Sequence, residues 1–434
     1  MILRASRPSL LVWSAPAIGR LFVGAMLSIG SAEGASAQSK PVSLGADVKG
    51  LLAAAHRLSP QLRAASLETA AASAKAEGAG ALDDPTITDS YQYYKNPGVF
   101  SAHTVMVTQF LPLWGKLDLR REAAFADVDA ARGRERAAQD ALDERIKVAY
   151  AQYYLATRDI AVNREVAGLA EQMSAAASAR YSQPSGDQAG GDQAGVIRAL
   201  GEATTAKIEA ARLEGEVNAA RARLNALVAQ PADSPLAEPR LLRSMPSPEP
   251  RPGALLDRAR AANPMLSAGA ADIAAARTRS ALADKAWYPD LTVGAGPLIQ
   301  TNNRPVGGAA TVGLNIPLPW GREASGQQEA AAKLGATQQA YDATRLEIEG
   351  ALGEALAKLH AARSAEALIR REALPQAHAT FQTVLANYSQ GKGELEAAIA
   401  AEHRIHEAEL TLLQTQLEEQ VELAAIERLI GGEL

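Results

Sequence analysis

Two hydrophobic rhythms alternate along this chain. Leu142, Ile146, Ala149, Tyr153, Ala156 and Ile160 follow one another at steps of four, three, four, three and four, and Leu213, Val217, Ala220, Leu224 and Leu227 repeat the pattern. That spacing is the seam of helices packed side by side as in a coiled coil. No proline stands between Trp114 and Pro184, which predicts one helix of about 65 residues, roughly 100 Å long. The other rhythm is short and β-like. Residues 86–94 and 102–110, rich in Thr, Val and Tyr, flank the turn Asn96-Pro97-Gly98. Residues 291–299 and 309–316 do the same around Asn302-Asn303-Arg304-Pro305. Each pair reads as two strands of about nine residues, a length that crosses a bilayer at a tilt.

The two rhythms occur twice in the same order. Leu58-Ser59-Pro60-Gln61-Leu62 corresponds to Ala262-Asn263-Pro264-Met265-Leu266, and Tyr181-Ser182-Gln183 to Tyr388-Ser389-Gln390. Between them, the segment from Gln109 to Lys116 corresponds to that from Asn315 to Arg322. The chain is therefore mainly α with a small β part, a duplicated helix-strand-strand-helix-helix unit. The opening helical stretches cover 44–81 and 255–285. The first unit spans 38–228, with a helical hairpin tip near 181–195; the second spans 255–434, with its tip near 388–394. The proline-dense stretch 229–254 links them, since proline suits neither a helix interior nor a central strand. Further prolines mark the passages between strand and helix: Pro85 and Pro289 before the strands, Pro112, Pro317 and Pro319 after them.

Composition narrows the picture. Alanine is the commonest apolar residue while aromatics are 4%, which suits long, closely packed helices. The chain has no cysteine, which excludes disulfides, thiolate metal sites and a lipid-acylated cysteine. A net charge of −5 gives no electrostatic case for nucleic acid. Arg4, Arg7 and Arg20, the apolar run 21–29 and Ala35-Ser36-Ala37 make residues 1–37 a signal peptide, an amino-terminal anchor being the alternative. No later stretch is long and apolar enough for a transmembrane helix, so entry into a membrane would have to use strands. Four strands cannot close a barrel. They must pair with strands of other copies, or form a small sheet capping a helical domain.

The second half carries Leu374-Pro375-Gln376-Ala377, then Tyr388-Ser389-Gln390-Gly391-Lys392-Gly393, then a helix from about Leu395. This is similar to the LPxA…YxxGK signature of the TolC-like outer-membrane efflux family, and the resemblance covers nearly all the chain beyond residue 37. The segments FLPLWGK and IPLPWGR, each followed by alanine-rich helix, resemble the branch that serves heavy-metal efflux pumps of the RND type. The resemblance implies a homotrimer whose four strands per chain close a transmembrane β-barrel, continued by a long α-helical barrel into the periplasm. It implies outer-membrane lipid around the strands, with a periplasmic adaptor and an RND-type inner-membrane pump as partners. The function it implies is passive conduction of small solutes, metal ions or organic compounds, to the exterior. It places the adaptor contact at Tyr181, Tyr388, Gly391, Lys392 and Gly393, and strand-to-helix junctions at Pro112, Trp114, Pro317, Pro319 and Trp320. The acidic constriction of the family aligns with Ala397 and Ala400, leaving the nearby Glu394 and Glu396 as its candidates. A tandem repeat, Gly186–Gly190 then Gly191–Gly195, lengthens the first tip relative to the family. The rival readings are a periplasmic adaptor, or a coiled-coil scaffold without a pore.

Catalytic chemistry finds no support. There is no GxxxxGK[ST] loop, HExxH helix or GxSxG elbow, and Gly294-Ala295-Gly296 leads into Pro297 rather than a helix. His403 and His406, flanked by Glu402 and Glu407, could present two imidazoles and a carboxylate on one helical face. A tight metal set would oppose a conduit, so the expectation is a solvated polar face, with no cofactor and no enzymatic activity.

Overall fold

The structure, a computed structural model, describes residues 44–93, 95, 101–181, 193–247, 251–300 and 305–434. The predicted signal peptide, the turns at 96–98 and 302–304, and most of the tandem repeat at the first tip lie outside the described residues.

The first repeat runs α1 (Val48–Leu58), α2 (Pro60–Ala79), β1 (Thr86–Gln92), β2 (Ala102–Leu111), α3 (Lys116–Tyr181) and α4 (Gln193–Leu227). The second runs α5 (Pro252–Ala262), α6 (Pro264–Asp284), β3 (Asp290–Gln300), β4 (Pro305–Asn315), α7 (Arg322–Leu368), α8 (Leu374–Ser389) and α9 (Leu395–Leu429). The order matches the duplication, with two corrections. The single opening helix expected over 44–81, and its counterpart over 255–285, are each broken into two. At the breaks Ser59 and Asn263 hold extended backbone, φ −60° and −64°, because a residue before proline is driven out of the helical region. Each then caps the next helix: Ser59 Oγ accepts from Leu62 N, and Asn263 Oδ1 accepts from Met265 N at 2.8 Å and Leu266 N at 3.2 Å. Pro60 and Pro264 occupy the first helical turn, where a missing N–H is not felt.

The second correction concerns the long helix of the second repeat. A π turn, Ile369–Ala373, divides α7 from α8, with Leu374 N donating to Ile369 O. Pro375 follows at once, and the wider turn relieves the contact its ring would make with the carbonyl four residues back. The first repeat has no such break: α3 is one helix of 66 residues, close to 100 Å long.

Helix α3 is the spine. It packs against α2, α4, α6 and α9, while α7 rests on α6 and α9, and α8 on α9. One core gathers Leu51, Leu142, Ile146, Tyr150, Tyr153 and Leu224 under α1. Its counterpart joins Leu255, Leu266, Leu352, Leu359, Ile426 and Ile430 under α5. The proline-rich linker is extended and pinned to the body. Tyr150 Oη donates to Leu241 O at 3.0 Å, Ala237 N donates to Leu44 O at 2.9 Å, and Asn225 Nδ2 donates to Ala232 O and Ser234 O. Arg243 of the linker and Lys147 of α3 both pair with Glu427 of α9, at 2.5 and 2.9 Å, in a buried knot joining the repeats.

The strands form one antiparallel sheet in the order β1-β2-β3-β4, so β1 and β4 are edges. β4 begins at Pro305, earlier than the expected residue 309; proline is tolerated as the first residue of a strand. Among the described residues no helix is long and apolar enough to cross a membrane.

Candidate functional site

The register divides the sheet into two unlike faces, since alternate residues point to opposite sides. Paired across the strands on one face are Ile87, Tyr91, Val105, Val107, Leu291, Val293, Ile299, Val312 and Leu314. The other face carries Thr86, Thr88, Ser90, Thr104, Thr108, Thr292, Gly294, Thr311 and Asn315. Ile87, Tyr91, Val107, Val312 and Leu314 are all exposed. The apolar face does include Asp89, His103 and Gln109, but Asp89 and His103 pair at 3.3 Å with the Tyr91 ring tilted against the imidazole at 4.6 Å, and Gln109 Nε2 donates to Asp83 O at 2.7 Å. Met106, Phe110 and Leu298 are the large apolar exceptions on the polar side. Apolar residues on one side and small or polar ones on the other are what a strand needs between hydrocarbon and a wet lumen.

The strand-to-helix junctions lie at one end of this sheet. At the first, Pro112 is buried and ends β2, and Trp114 and Gly115 both take left-handed backbone, φ 63° and 75°, to turn the chain into α3. Trp114 Nε1 donates to Pro289 O at 2.7 Å, and its ring lies 5.4 Å from that of Tyr288. Lys116 Nζ donates to Tyr288 O and to both carboxylate oxygens of Asp290 at 2.8 Å. This clasp ties the end of β2 to the start of β3, and Lys116 and Asp290 are largely hidden from water. At the second junction Trp320 and Gly321 match Trp114 and Gly115, Pro317 and Pro319 flank Leu318, the counterpart of Pro112, and Gly321 takes φ 95°. Trp320 is 85% exposed there, and Arg322 is exposed.

The tip of the second hairpin is fully described. Gly391, at φ 76°, ends α8 with two reverse hydrogen bonds: Gly391 N to Tyr388 O at 3.0 Å and Lys392 N to Asn387 O at 2.9 Å. This is a Schellman cap, which calls for glycine at its left-handed position. Gly393 passes so near α8 that a Cβ there would meet Tyr388 N at 3.3 Å. Tyr388 is not displayed for a partner: it is buried with Met173, Phe381, Leu395 and Ala398. Lys392 is exposed. Tyr181 closes α3, and its side chain is outside the described residues. Glu394 is exposed at the start of α9 and makes no side-chain cap bond. Glu396 is ion-paired with Arg198 of α4.

Further up, a groove of about 590 Å³ runs over α3 between α4 and α9. His403 and His406 line it with Glu202, Glu209, Glu402 and Glu407. His403 Nε2 stands 3.5 Å from a carboxylate oxygen of both Glu202 and Glu402. Among the described residues no three such side chains converge to hold a metal ion. Glu402 is buried with one oxygen unpartnered, and burial, aided by the Glu202 charge, pushes its carboxyl up to about 7 against the pull of His403. Burial likewise raises Asp159 on α3. The letters HisArg-Ile-His suggest a wet face; only the packing of α4 over α9 reveals that Glu402 is enclosed.

Sequence comparison matches residues 255–432 to the family described as outer membrane efflux protein. No curated protein matches the chain by sequence. In the solved structures the chain is similar to the outer-membrane channel OprN, with a TM-score of 0.77 and 19% identity over 89% of this chain and 90% of that one. It is similar to the outer membrane protein VceC of Vibrio cholerae, TM-score 0.75 and 19% identity, covering 89% and 96% of the two chains. It is also similar to the MtrE outer membrane channel of Neisseria gonorrhoeae in its open state, TM-score 0.72 and 19% identity, covering 89% of each. Residues 255–432 thus match the outer membrane efflux protein family, and 89% of the chain shares the fold of these outer-membrane channels.

Proposed function

We propose that this chain is one third of an outer-membrane duct that passively conducts small solutes out of the cell. The observation that carries this reading is the sheet. It has two open edges, an apolar face and a polar face, and it stands at the end of a helix about 100 Å long. An open edge in hydrocarbon leaves N–H and C=O groups unsatisfied at several kcal/mol each, so β4 of one copy must pair with β1 of the next until the sheet closes. The helical body supports the same assembly. Its most exposed large apolar residues sit on the outermost elements: Leu67 on α2, with Ile197, Leu200 and Ile208 on α4, at one side. Leu346 and Leu368 on α7 lie at the other.

In this reading residues 1–37 are a signal peptide, the repeats 38–228 and 255–434 are the two halves of the wall, and the linker 229–254 joins them. The strands lie in the outer membrane and the helices reach into the periplasm. An inner-membrane pump delivers the solute, metal ion or organic compound, and a periplasmic adaptor grips the tips around Tyr181 and at the turn from Tyr388 to Gly393. Because Tyr388 is buried, its part is to hold the turn, and exposed Lys392 is the residue that meets the adaptor. Glu394 and Glu396 form the acidic constriction, with the Arg198 pair of Glu396 as a latch between α4 and α9.

The deciding experiment is the native mass of the protein extracted from outer-membrane fractions in mild detergent, followed by conductance in a planar bilayer. A trimer that conducts ions is expected. A monomer in the soluble periplasmic fraction would overturn the reading.

A further inference from the structure

The two strand-to-helix junctions are versions of one sequence, yet among the described residues only the first finds its partners. Trp114 matches Trp320, Gly115 matches Gly321 and Lys116 matches Arg322. Trp114 Nε1 and Lys116 Nζ are spent on Tyr288, Pro289 and Asp290, the segment that leads from α6 into β3. The repeat-mate of that segment leads from α2 into β1 and reads Asp83-Asp84-Pro85-Thr86, with Pro85 matching Pro289. It is exposed throughout, and neither Asp83 nor Asp84 has an ion pair among the described residues. Arg322 is equally unpaired, and the Trp320 indole N–H donates to nothing described. These two unfilled halves stand at the same end of the sheet, on its opposite edges, with complementary charge.

We infer that Trp320 and Arg322 of one copy close a second clasp on Asp83, Asp84 and Pro85 of the next copy. This rests on the trimer proposed above and names the contact that locks it. Strand β2 followed by β3 within a chain is the template for β4 followed by the next copy's β1. The same screw of the repeat then carries Trp320 Nε1 onto the carbonyl of Pro85, and the Arg322 guanidinium onto the carbonyl of Asp84. One detail differs. The counterpart of Asp290 is Thr86, which has no carboxylate, so the anion is supplied one or two residues earlier by Asp83 and Asp84. The longer, forked arginine in place of lysine has the reach and the geometry for that shift. The clasp within the chain is nearly dry, and a clasp between copies, covered by the exposed Trp320 ring, gains strength from the same exclusion of water.

The absence of cysteine makes the test clean. A chain carrying Asp84→Cys and Arg322→Cys is extracted as the native assembly and treated with a short bismaleimide. The expected result is a covalent trimer on a denaturing gel, with monomer alone from either single variant. A native trimer that yields no covalent product would overturn the clasp while leaving the trimer intact, whereas the absence of any trimer would overturn the duct itself. Charge reversal checks the same contact without cross-linking. Arg322→Glu is expected to release monomer on mild heating at which the parent stays trimeric, and Asp83→Lys with Asp84→Lys is expected to restore the trimer to that variant. Trimer loss without restoration would count against pairing between these residues.

Discussion

Helices α3 and α7 begin at matching junctions and descend from the same duplicated unit, yet their surroundings differ. α3 is flanked on several sides, by α2, α4, α6 and α9. It buries large side chains along most of its length, Val128, Leu142, Ile146, Tyr150, Tyr153, Val162 and Met173 among them. α7 buries only Ile348, Leu352, Ala355, Leu359 and Ala362, all in its second half, and leaves Leu346 and Leu368 exposed. One helix is interior to the chain and the other stands at its border. Both carry the same local instructions; position decided which is covered by neighbours within the chain and which keeps an open face.

Ion pairs make the contrast measurable. Glu427 is the shared anion for Lys147 of α3 and Arg243 of the linker, and both hydrogen bonds and both positive charges hold its carboxyl below the usual carboxylate range in spite of its burial. Removing it strands a buried lysine, so Glu427→Ala should cost about 3–5 kcal/mol. Glu349 of α7 accepts from Arg260 at 2.9 Å in a pair open to water, and Glu349→Ala should cost far less than the loss at Glu427. Thermal unfolding of the two variants in one detergent checks the comparison. Similar losses would mean that α7 is as enclosed in the assembly as α3 is in the chain.

Much of this architecture is legible in the sequence because periodicity and proline are local signals. The long helix after Trp114, the strand pairs, the duplication and the second tip needed only the spacing of apolar residues and the placing of Pro and Gly. The breaks at Ser59 and Asn263 were visible as repeated motifs, but a proline in the first turn is compatible with a helix beginning as well as with a kink, so the pattern read through them. The pairing of Lys147 with Glu427, 280 residues apart, has no local signature. Neither has Lys116 with Asp290: a lysine after Trp-Gly looks like any surface lysine until β2 and β3 are paired. The Arg198 partner of Glu396 was hidden for the same reason.

The next largest effect is on pH. Glu402 and Glu419, both on α9, are each pushed up to about 7, by burial first; then Glu202 raises Glu402, and Glu366 raises Glu419. His403 of α9 opposes the first, and Arg363 and Arg370 oppose the second. Both carboxyls hold a proton more tightly folded than unfolded. Their contribution is therefore complete below the ordinary glutamate value of 4.5 and is lost as pH climbs through about 7, on the order of 2 kcal/mol each. Unfolding followed from pH 5 to pH 8 should show stability falling across that window, and Glu402→Gln should flatten the slope by its share. An unchanged slope in that variant would mean that water or a partner chain solvates the carboxylate.

Glycines give the finest probe, because the two helices predict opposite signs. At Gly133 of α3 a Cβ would lie 2.8–2.9 Å from Ala268 of α6, atoms that belong to backbone and Cβ and cannot swing aside. Gly133→Ala should therefore lose about 1–3 kcal/mol to overpacking, set against about 1 kcal/mol gained in helix propensity, for a net loss of roughly 1 kcal/mol.

Gly335 and Gly350 stand in the interior of α7 with nothing within 4 Å of an added Cβ. There the propensity gain is unopposed, and each alanine should stabilise the protein by about 0.5–1 kcal/mol. The sign at each position is a report on the border of the wall. Stabilisation says that the site faces water in the assembly as it does in the single chain. A loss at either glycine, measured on the native assembly by thermal unfolding, would place a neighbouring copy against that turn of α7. The residue that reads as free in one chain would then be packed in three, and the contrast between α3 and α7 would shrink as the wall closes.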